Sequence, residues 1–172
     1  MASHNGQVCA ERVELVESRS AEWSERFDCL NRELRELLGA DASIEHIGST
    51  AVPDLPSKDV VDILVGTATH QVPVVRDRLV AAGFLLEGQL DRHAWLTRQE
   101  LGRRVCVIHV VEADSARWAR RIAFRDLLRR DAGARAEYLR IKRAAEAETS
   151  NWDEYTQAKT ATVDRLLREG QT

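Results

Sequence analysis

The stretch from His46 to Asp62 holds the residues best suited to chemistry in this sequence. A predicted strand leads into the pair Gly48-Ser49, and a twelve-residue spacer separates that pair from Asp62. Gly48 permits close approach of a ligand to the backbone, and successive backbone N–H groups, with the hydroxyls of Ser49 and Thr50, can cradle a phosphate. The pattern therefore favours a phosphate-binding turn over a purely structural one.

Asp62 lies inside an apolar run that predicts a strand. Strand alternation places Val60, Asp62 and Leu64 on one face. Because burying an unpaired carboxylate is costly, we expect Asp62 to lie at the end of the sheet and to face a site. There it would bind a metal ion or act as a general base. The alternative is a purely structural acid.

Short β-branched runs predict the strands that position these residues. They fall at 44–47, 60–65, 84–86, 94–97 and 105–111, and a further short strand is predicted at 13–16. A helix is predicted from the N-cap Ser20 to the stop at Gly39, and another at 72–82 follows the run that holds Asp62. Strands interrupted by a helix in this order predict a small mixed sheet.

No strand pattern follows Glu112. Amphipathic helices rich in Ala, Arg, Glu and Leu are predicted at 115–130, 134–148 and 152–168. We therefore predict a single α/β domain over 1–172, of the α+β kind. Its helix and sheet core spans 12–112, and a C-terminal helical cap at 113–170 closes over the sheet. Trp118 and Trp152 are expected to pack between the cap helices and the sheet.

Composition excludes several classes of function. The formal net charge of −3 argues against the large basic surface that duplex nucleic acid requires. The three cysteines show no metal-ligand spacing, which favours a reducing, cytoplasmic environment. We see neither a signal peptide nor an apolar run long enough for a membrane span, so no membrane association is expected.

The motifs resemble a known family. Gly48-Ser49, the spacer and Asp62-Ile63 are similar to the signature of polymerase-β-type nucleotidyltransferases. A longer set of segments resembles the GrpB family, and the likeness covers roughly residues 12–165: Glu45 to Pro53, Lys58, Asp62-Ile63, Ile108 to Glu112, Phe124 to Arg129, Tyr138 with Lys142, and Tyr155 with Lys159. The resemblance implies a nucleotidyltransferase-like fold, a small mixed sheet flanked by helices, without implying one agreed reaction.

In active members of the wider superfamily, two carboxylates two residues apart and a third on a later strand bind Mg²⁺. Here Leu64 occupies the second of these positions, and His109 is the candidate for the third. Asp59 could replace the missing carboxylate only through a β-bulge, and Asp54 stands where the family commonly has glycine. We expect Mg²⁺ only together with a nucleoside triphosphate, bound partly by Asp62, and no tight metal site in the free protein.

The hypothesis that follows is nucleotide-dependent group transfer onto a small acceptor. Asp62 and His109 are the candidate catalytic residues. The candidate nucleotide- and phosphate-binding residues are His46, Gly48, Ser49, Thr50, Lys58, Arg125, Lys142, Tyr155 and Lys159. Helical spacing places Tyr138 beside Lys142 and Tyr155 beside Lys159.

Each candidate also has a structural alternative. The two histidines could be satisfied core residues, and the basic residues of the helices could form solvated faces. Two rival functions follow from the same residues. One is a non-catalytic nucleotide or phospho-ligand binding protein, which Leu64 favours. The other is an interaction module in which the charged cap helices dock on a protein partner.

Overall fold

A five-stranded mixed sheet lies at the centre of the structure, a computed structural model that describes residues 14–39, 42–148 and 152–170. The strands are β1 (Ser43–Ile47), β2 (Val61–Thr67), β3 (Leu85–Leu90), β4 (His93–Glu100) and β5 (Arg103–Glu112). Their order is β1-β2-β5-β4-β3, with β2 and β5 parallel and the other pairs antiparallel. The predicted mixed sheet is confirmed. The short strand predicted at 13–16 does not form over its described residues, where Val16 makes only an isolated bridge with Ser57. Residue 13 lies outside the described residues.

Helices cover both faces of this sheet. They are α1 (Ser20–Leu38), α2 (Val72–Ala81), α3 (Ala116–Arg130), α4 (Ala132–Glu148) and α5 (Trp152–Glu169). The predicted N-cap at Ser20 is wrong, because α1 already begins there and the Ser20 hydroxyl contacts Ser18 Oγ at 2.8 Å instead of capping the helix. No helix within the described ranges is long and apolar enough to cross a membrane.

One face of the sheet packs against α1 and α2. Its apolar side chains include Ile63, Val65 and Ile108, and they meet Trp23 of α1 and Leu79 of α2 in one buried cluster. Trp23 and Leu79 are fully buried. The amphipathic stripe predicted for the first helix therefore faces the core, as its spacing indicates.

The other face of the sheet carries Asp62 and packs against α3. Leu64 and Val111 contact Trp118 and Ile122 there. Trp118 lies directly over Gly66 of β2, where a Cβ atom would come within 2.7 Å of Trp118 Cζ3. The packing predicted for Trp118 is confirmed, and the side chain of Trp152 lies outside the described residues.

The C-terminal helices also hold the loop between β1 and β2. Val52 and Leu55 of this loop are buried in a cluster with Leu128, Tyr138 and Leu166, which belong to α3, α4 and α5. The cap therefore fixes the segment that connects Gly48 with Asp62.

The contact between Gly66 and Trp118 generates a stability prediction. We expect Gly66→Ala to lower the free energy of unfolding by about 1–3 kcal/mol, because the added methyl overlaps a packed indole ring. The matched control is Gly133→Ala in the first turn of α4, where the nearest atom is the Asp131 carboxylate at 3.3 Å. It should be neutral or stabilising by up to about 1 kcal/mol. Urea unfolding of both variants is the measurement, and parental stability of Gly66→Ala would contradict the packing described.

Candidate functional site

Gly48 lies directly against the carboxylate of Asp62. Its φ of 72° places it in the left-handed region that favours glycine, and a 3-10 turn over Ser49–Ala51 follows. A Cβ atom on Gly48 would lie 3.0 Å from Asp62 Cβ and would overlap Asp62 Oδ2. The missing side chain therefore lets the turn and the carboxylate share one end of the sheet.

Lys142 of α4 reaches this region through the cap. It is 1% exposed, and its Nζ donates hydrogen bonds to the carbonyl oxygen of Pro56 at 2.5 Å and to Ser57 Oγ at 3.2 Å. The pKa of Lys142 is lowered to about 7, chiefly by burial and then by the charge of Lys58, while the charge of Asp62 acts in the opposite direction. Near neutral pH this ammonium group therefore loses its proton readily.

Lys159 of α5 belongs to the same cluster. Burial lowers its pKa well below the usual value, the charges of Lys58 and Lys142 add to this, and Asp62 opposes them. The charges of Lys58 and Asp62 thus act on both Lys142 and Lys159, with opposite signs. We call Lys58, Lys142, Lys159 and Asp62 the lysine cluster.

The composition of the sequence contains a signal for this cluster that the spacing of the motifs does not show. Lysine occurs at only three positions, and all three are in the lysine cluster, whereas the chain has 22 arginines (25 basic residues less three lysines). Either lysine or arginine can form a charged, solvent-exposed surface. Burial readily shifts the pKa of a lysine amine, however, whereas arginine stays charged. Every lysine of a chain of net charge −3 therefore lies at one site, where a bound anion would favour the protonated amines.

Tyr138 connects α4 to the turn. It is buried, it makes an edge contact with Phe124 at 5.0 Å between ring centroids, and its ring centroid lies 5.8 Å from Lys142 Nζ. Burial raises the pKa of Tyr138 to about 12, although a hydrogen bond with Ser49 acts in the other direction. Sequence spacing had placed Tyr138 beside Lys142 without identifying its contact with Ser49.

His109 lies on the same face as Asp62, on the neighbouring strand. The parallel register of β2 and β5 pairs Asp62 with Val107 and Leu64 with His109, which agrees with the geometry expected from strand alternation. His109 Nδ1 lies 3.1 Å from His93 Nε2. Burial, followed by the charge of Arg121, lowers the pKa of His109 well below its usual value, so its imidazole is neutral at pH 7.

His46 lies on the opposite face of the sheet from Asp62, and its predicted role in phosphate binding stays a prediction. Its ring stacks on Phe27 of α1 at 4.7 Å, and its Nε2 lies 3.0 Å from Thr50 Oγ1. Burial lowers the pKa of His46 to about 4. His46 and the Thr50 hydroxyl therefore hydrogen-bond to each other and stabilise the turn after Gly48 from the side of α1.

Arg125 also has a supporting position. Its guanidinium donates to Glu45 Oε2 at 2.6 Å, to Asp126 Oδ1 at 2.8 Å and to the carbonyl oxygen of His46 at 3.1 Å. These hydrogen bonds use guanidinium N–H donors that could otherwise bind a phosphate, and they connect β1 to α3. These contacts give Arg125 a positioning role, and its predicted role in neutralising charge stays a prediction. The side chain of Tyr155, also predicted to bind a nucleotide, lies outside the described residues.

Asp59 does not replace the missing carboxylate. It faces α1, where Asp59 Oδ1 accepts from Trp23 Nε1 at 2.9 Å and from Arg26 Nη1 at 3.0 Å. No bulge turns it towards Asp62. Asp54 has a φ of 60°, a left-handed conformation that explains why glycine suits this position.

These residues do not fit a two-metal centre. Leu64 is fully buried where a second carboxylate would be needed, and within the described ranges no three His, Cys, Asp or Glu side chains group as metal ligands. The amines near Asp62 are not the oxygen ligands that Mg²⁺ prefers. The electrostatics of the lysine cluster instead favour an anion.

The contact between Gly48 and Asp62 can be tested by stability. We expect Gly48→Ala to cost about 1–3 kcal/mol more than Gly102→Ala. Both glycines have a positive φ, 72° and 76°, but the space around Gly102 is open. Adding Asp62→Ala should recover most of the difference, because it removes the overlapping carboxylate. Equal costs of the two glycine substitutions in chemical denaturation would show that the contact is unimportant.

Comparisons with known proteins agree with this architecture. The family model for GrpB protein matches residues 12–169. A UPF0157 protein of Deinococcus radiodurans is 39% identical over 158 residues, which are 92% of this chain and 82% of the relative. The Cid1 poly(U) polymerase, in a structure with Mg 3'-dATP bound, superposes with a TM-score of 0.56 at 14% identity, over 85% of this chain and 49% of the polymerase. At that identity the likeness shows a shared nucleotidyltransferase fold alone.

The crystal structure of conserved protein GrpB from Enterococcus faecalis is closer in length and shape. It superposes with a TM-score of 0.78 at 26% identity, and the match covers 91% of this chain and 96% of the other. The family model and the relatives agree over nearly the whole length. The chain belongs to the GrpB family.

Proposed function

We propose that this protein catalyses nucleotide-dependent group transfer, in which a nucleotidyl group passes from a nucleoside triphosphate to a small acceptor. The observation that carries the proposal is the contact between the Gly48 turn and the Asp62 carboxylate, together with the buried Lys142 and with Lys159, on both of which the charge of Asp62 acts. A triphosphate needs several positive charges, and a transferred nucleotidyl group needs a base for the attacking hydroxyl. This arrangement supplies both.

In the free protein the protonated forms of Lys142 and Lys159 are destabilised. Burial and mutual repulsion lower the pKa values of Lys142 and Lys159. An anion that enters the cluster relieves the repulsion and stabilises the protonated amines. Nucleotide binding would therefore be coupled to protonation of these side chains, and its favourable energy would come from the attraction between the ammonium groups and the phosphates.

The transfer step can be written on these residues. The acceptor hydroxyl oxygen attacks the α-phosphorus, the bond to the leaving pyrophosphate breaks, and the hydroxyl proton passes to Asp62. The lysines neutralise the charge that develops on the pyrophosphate. A Mg²⁺ ion would be held chiefly by the phosphates of the substrate, because Asp62 is a single carboxylate. No step above depends on that ion.

A non-catalytic nucleotide-binding protein is the second candidate. The buried Leu64 favours it, because this residue removes an acidic side chain on which two-metal catalysis depends. Such a protein would use the lysine cluster for binding alone.

Asp62→Asn distinguishes the two candidates. We expect the parent protein to release pyrophosphate in the presence of an acceptor from a panel of small alcohols and acids, and Asp62→Asn to lose this release while it still binds nucleotide. The control is Asp59→Asn, which lies on the α1 face and should keep the release. Thermal stabilisation across a nucleotide panel, with and without Mg²⁺, measures binding separately.

The outcomes of that experiment decide between the candidates. Nucleotide binding without pyrophosphate release for any acceptor would leave the binding protein. Absence of stabilisation by every nucleotide would contradict both.

The lysine cluster also predicts a pH dependence. The pKa of Lys142 is about 7 in the free protein, and a bound anion raises it, so anion binding takes up a proton above that pH. Affinity for pyrophosphate should therefore fall as pH rises from about 6 to about 9. Calorimetry at pH 8 in two buffers of different ionisation enthalpy measures the proton uptake.

Lys142→Met tests the origin of this dependence. We expect affinity at pH 6 to fall by about tenfold or more, and the pH dependence to become shallower. Arg143→Met, which changes an exposed neighbour in α4, is the matched control and should leave affinity unchanged. Full affinity in Lys142→Met would contradict the role of the cluster.

A further inference from the structure

A second group of cationic side chains lies between α3 and the sheet, beside His109. Arg117 Nη1 lies 3.4 Å from His93 Nδ1, and Arg121 Nη2 lies 3.5 Å from His109 Nδ1. The two imidazoles contact each other through His93 Nε2 and His109 Nδ1 at 3.1 Å. We call these four residues the arginine–histidine cluster.

The contacts fix the tautomers of the two rings. A guanidinium has only donors, so His93 Nδ1 and His109 Nδ1 face it with their lone pairs. His93 then carries its proton on Nε2 and donates it to His109, and His109 carries its own proton on Nε2. Burial lowers the pKa of both histidines, so the rings stay neutral and bring no additional charge. His109 thus presents a donor, which suits an anion better than a metal.

The arginines of this cluster have unusual partners. Other arginines of α3 pair with acids, such as Arg120 with Asp164 at 2.5 Å and Arg125 with Glu45 at 2.6 Å. Arg121 faces a neutral imidazole, and its Nε atom is buried without a hydrogen-bond partner within the described part of the chain. A buried guanidinium donor without an acceptor is costly. The structure therefore provides donors for an acceptor group that a ligand would supply.

The arginine–histidine cluster adjoins the lysine cluster. The charge of Asp62 acts on Arg121, and the charge of Lys58 acts on His109. Asp62 and His109 lie on the sheet face that packs against α3, with Leu64 and His109 paired in the register. A molecule held by Arg121 would consequently lie next to Asp62.

We propose that Arg117, Arg121 and His109 form a second binding subsite, which holds an oxyanion carried by the acceptor. A carboxylate or a phosphate has the chemistry required, because its oxygens accept the parallel N–H donors of a guanidinium. The assignment of this oxyanion to the acceptor rests on the proposed function, whereas the anion subsite itself does not. The acceptor would then be a small acid with a hydroxyl group that reaches Asp62.

The imidazole nitrogens report directly on this subsite. The chain has five histidines, so their ¹⁵N resonances can be resolved in long-range ¹H–¹⁵N spectra. Inorganic phosphate is titrated in one arm and acetate in the other, each with and without saturating ATP. An oxyanion that draws Arg117 and Arg121 away from the rings should shift the Nδ1 resonances of His93 and His109 in a saturable way.

Variants separate the subsite from its surroundings. We expect Arg121→Gln to abolish the saturable shift of His93, and Arg117→Gln, at an exposed position, to weaken oxyanion affinity by about tenfold. Arg120→Gln on the same helix should leave the shift unchanged, because Arg120 pairs with Asp164. If Arg121→Gln does not fold, Arg117→Gln carries the test.

The outcomes also separate this inference from the proposed function. A shift that persists with ATP present, with phosphate or acetate, supports a second subsite and identifies which oxyanion it prefers. Failure of ATP to bind while the His93 shift remains would overturn the proposed function but keep the anion subsite. The absence of a saturable His93 shift with both anions, or an undiminished shift in Arg117→Gln and Arg121→Gln, would overturn the subsite.

Discussion

The site depends on one electrostatic interaction, that of the Asp62 carboxylate with the buried lysines near it. The charge of Asp62 acts on Lys142 and Lys159, and burial makes the protonated forms of these two lysines costly. A hydrogen-bonded amine such as Lys142, bound to Pro56 and Ser57, can remain buried when it is neutral. The cluster therefore takes up a proton when it binds an anion near neutral pH, which neither a surface patch nor a fixed arginine fork does.

The fold concentrates these groups from distant parts of the chain. Gly48 lets the turn after β1 lie on Asp62 of β2, the apolar contact of Leu55 with the cap holds the intervening loop, and Trp118 packs α3 over the same sheet face. Each element is stabilised by ordinary hydrophobic burial. The free energy gained there offsets the cost of holding several amines together.

Local patterns predicted much of this architecture, because strand and helix periodicity depend on neighbouring residues. The strands, the cap helices and the shared face of Asp62 and His109 follow from alternation and order. The face on which His46 lies was not predicted, because the antiparallel register of β1, which sets its face relative to β2, cannot be derived from β1 alone. The contact of Arg125 with Glu45 was not predicted, because the two residues are 80 positions apart. Ser20 failed as a cap because the helix begins at that residue. The restriction of lysine to three positions was present in the sequence and needs no structure to observe.

Titration of the lysine side chains by NMR tests the central claim most directly. With ¹³Cε-labelled lysine the protein gives signals from only three residues, and Lys142 can be assigned by its loss in Lys142→Met. The account predicts that Lys142 titrates with a pKa of about 7 in the free protein and that pyrophosphate raises this pKa. A Lys142 that titrates as an ordinary exposed lysine, near 10.4, and that pyrophosphate leaves unchanged, would contradict the lysine cluster as an anion site.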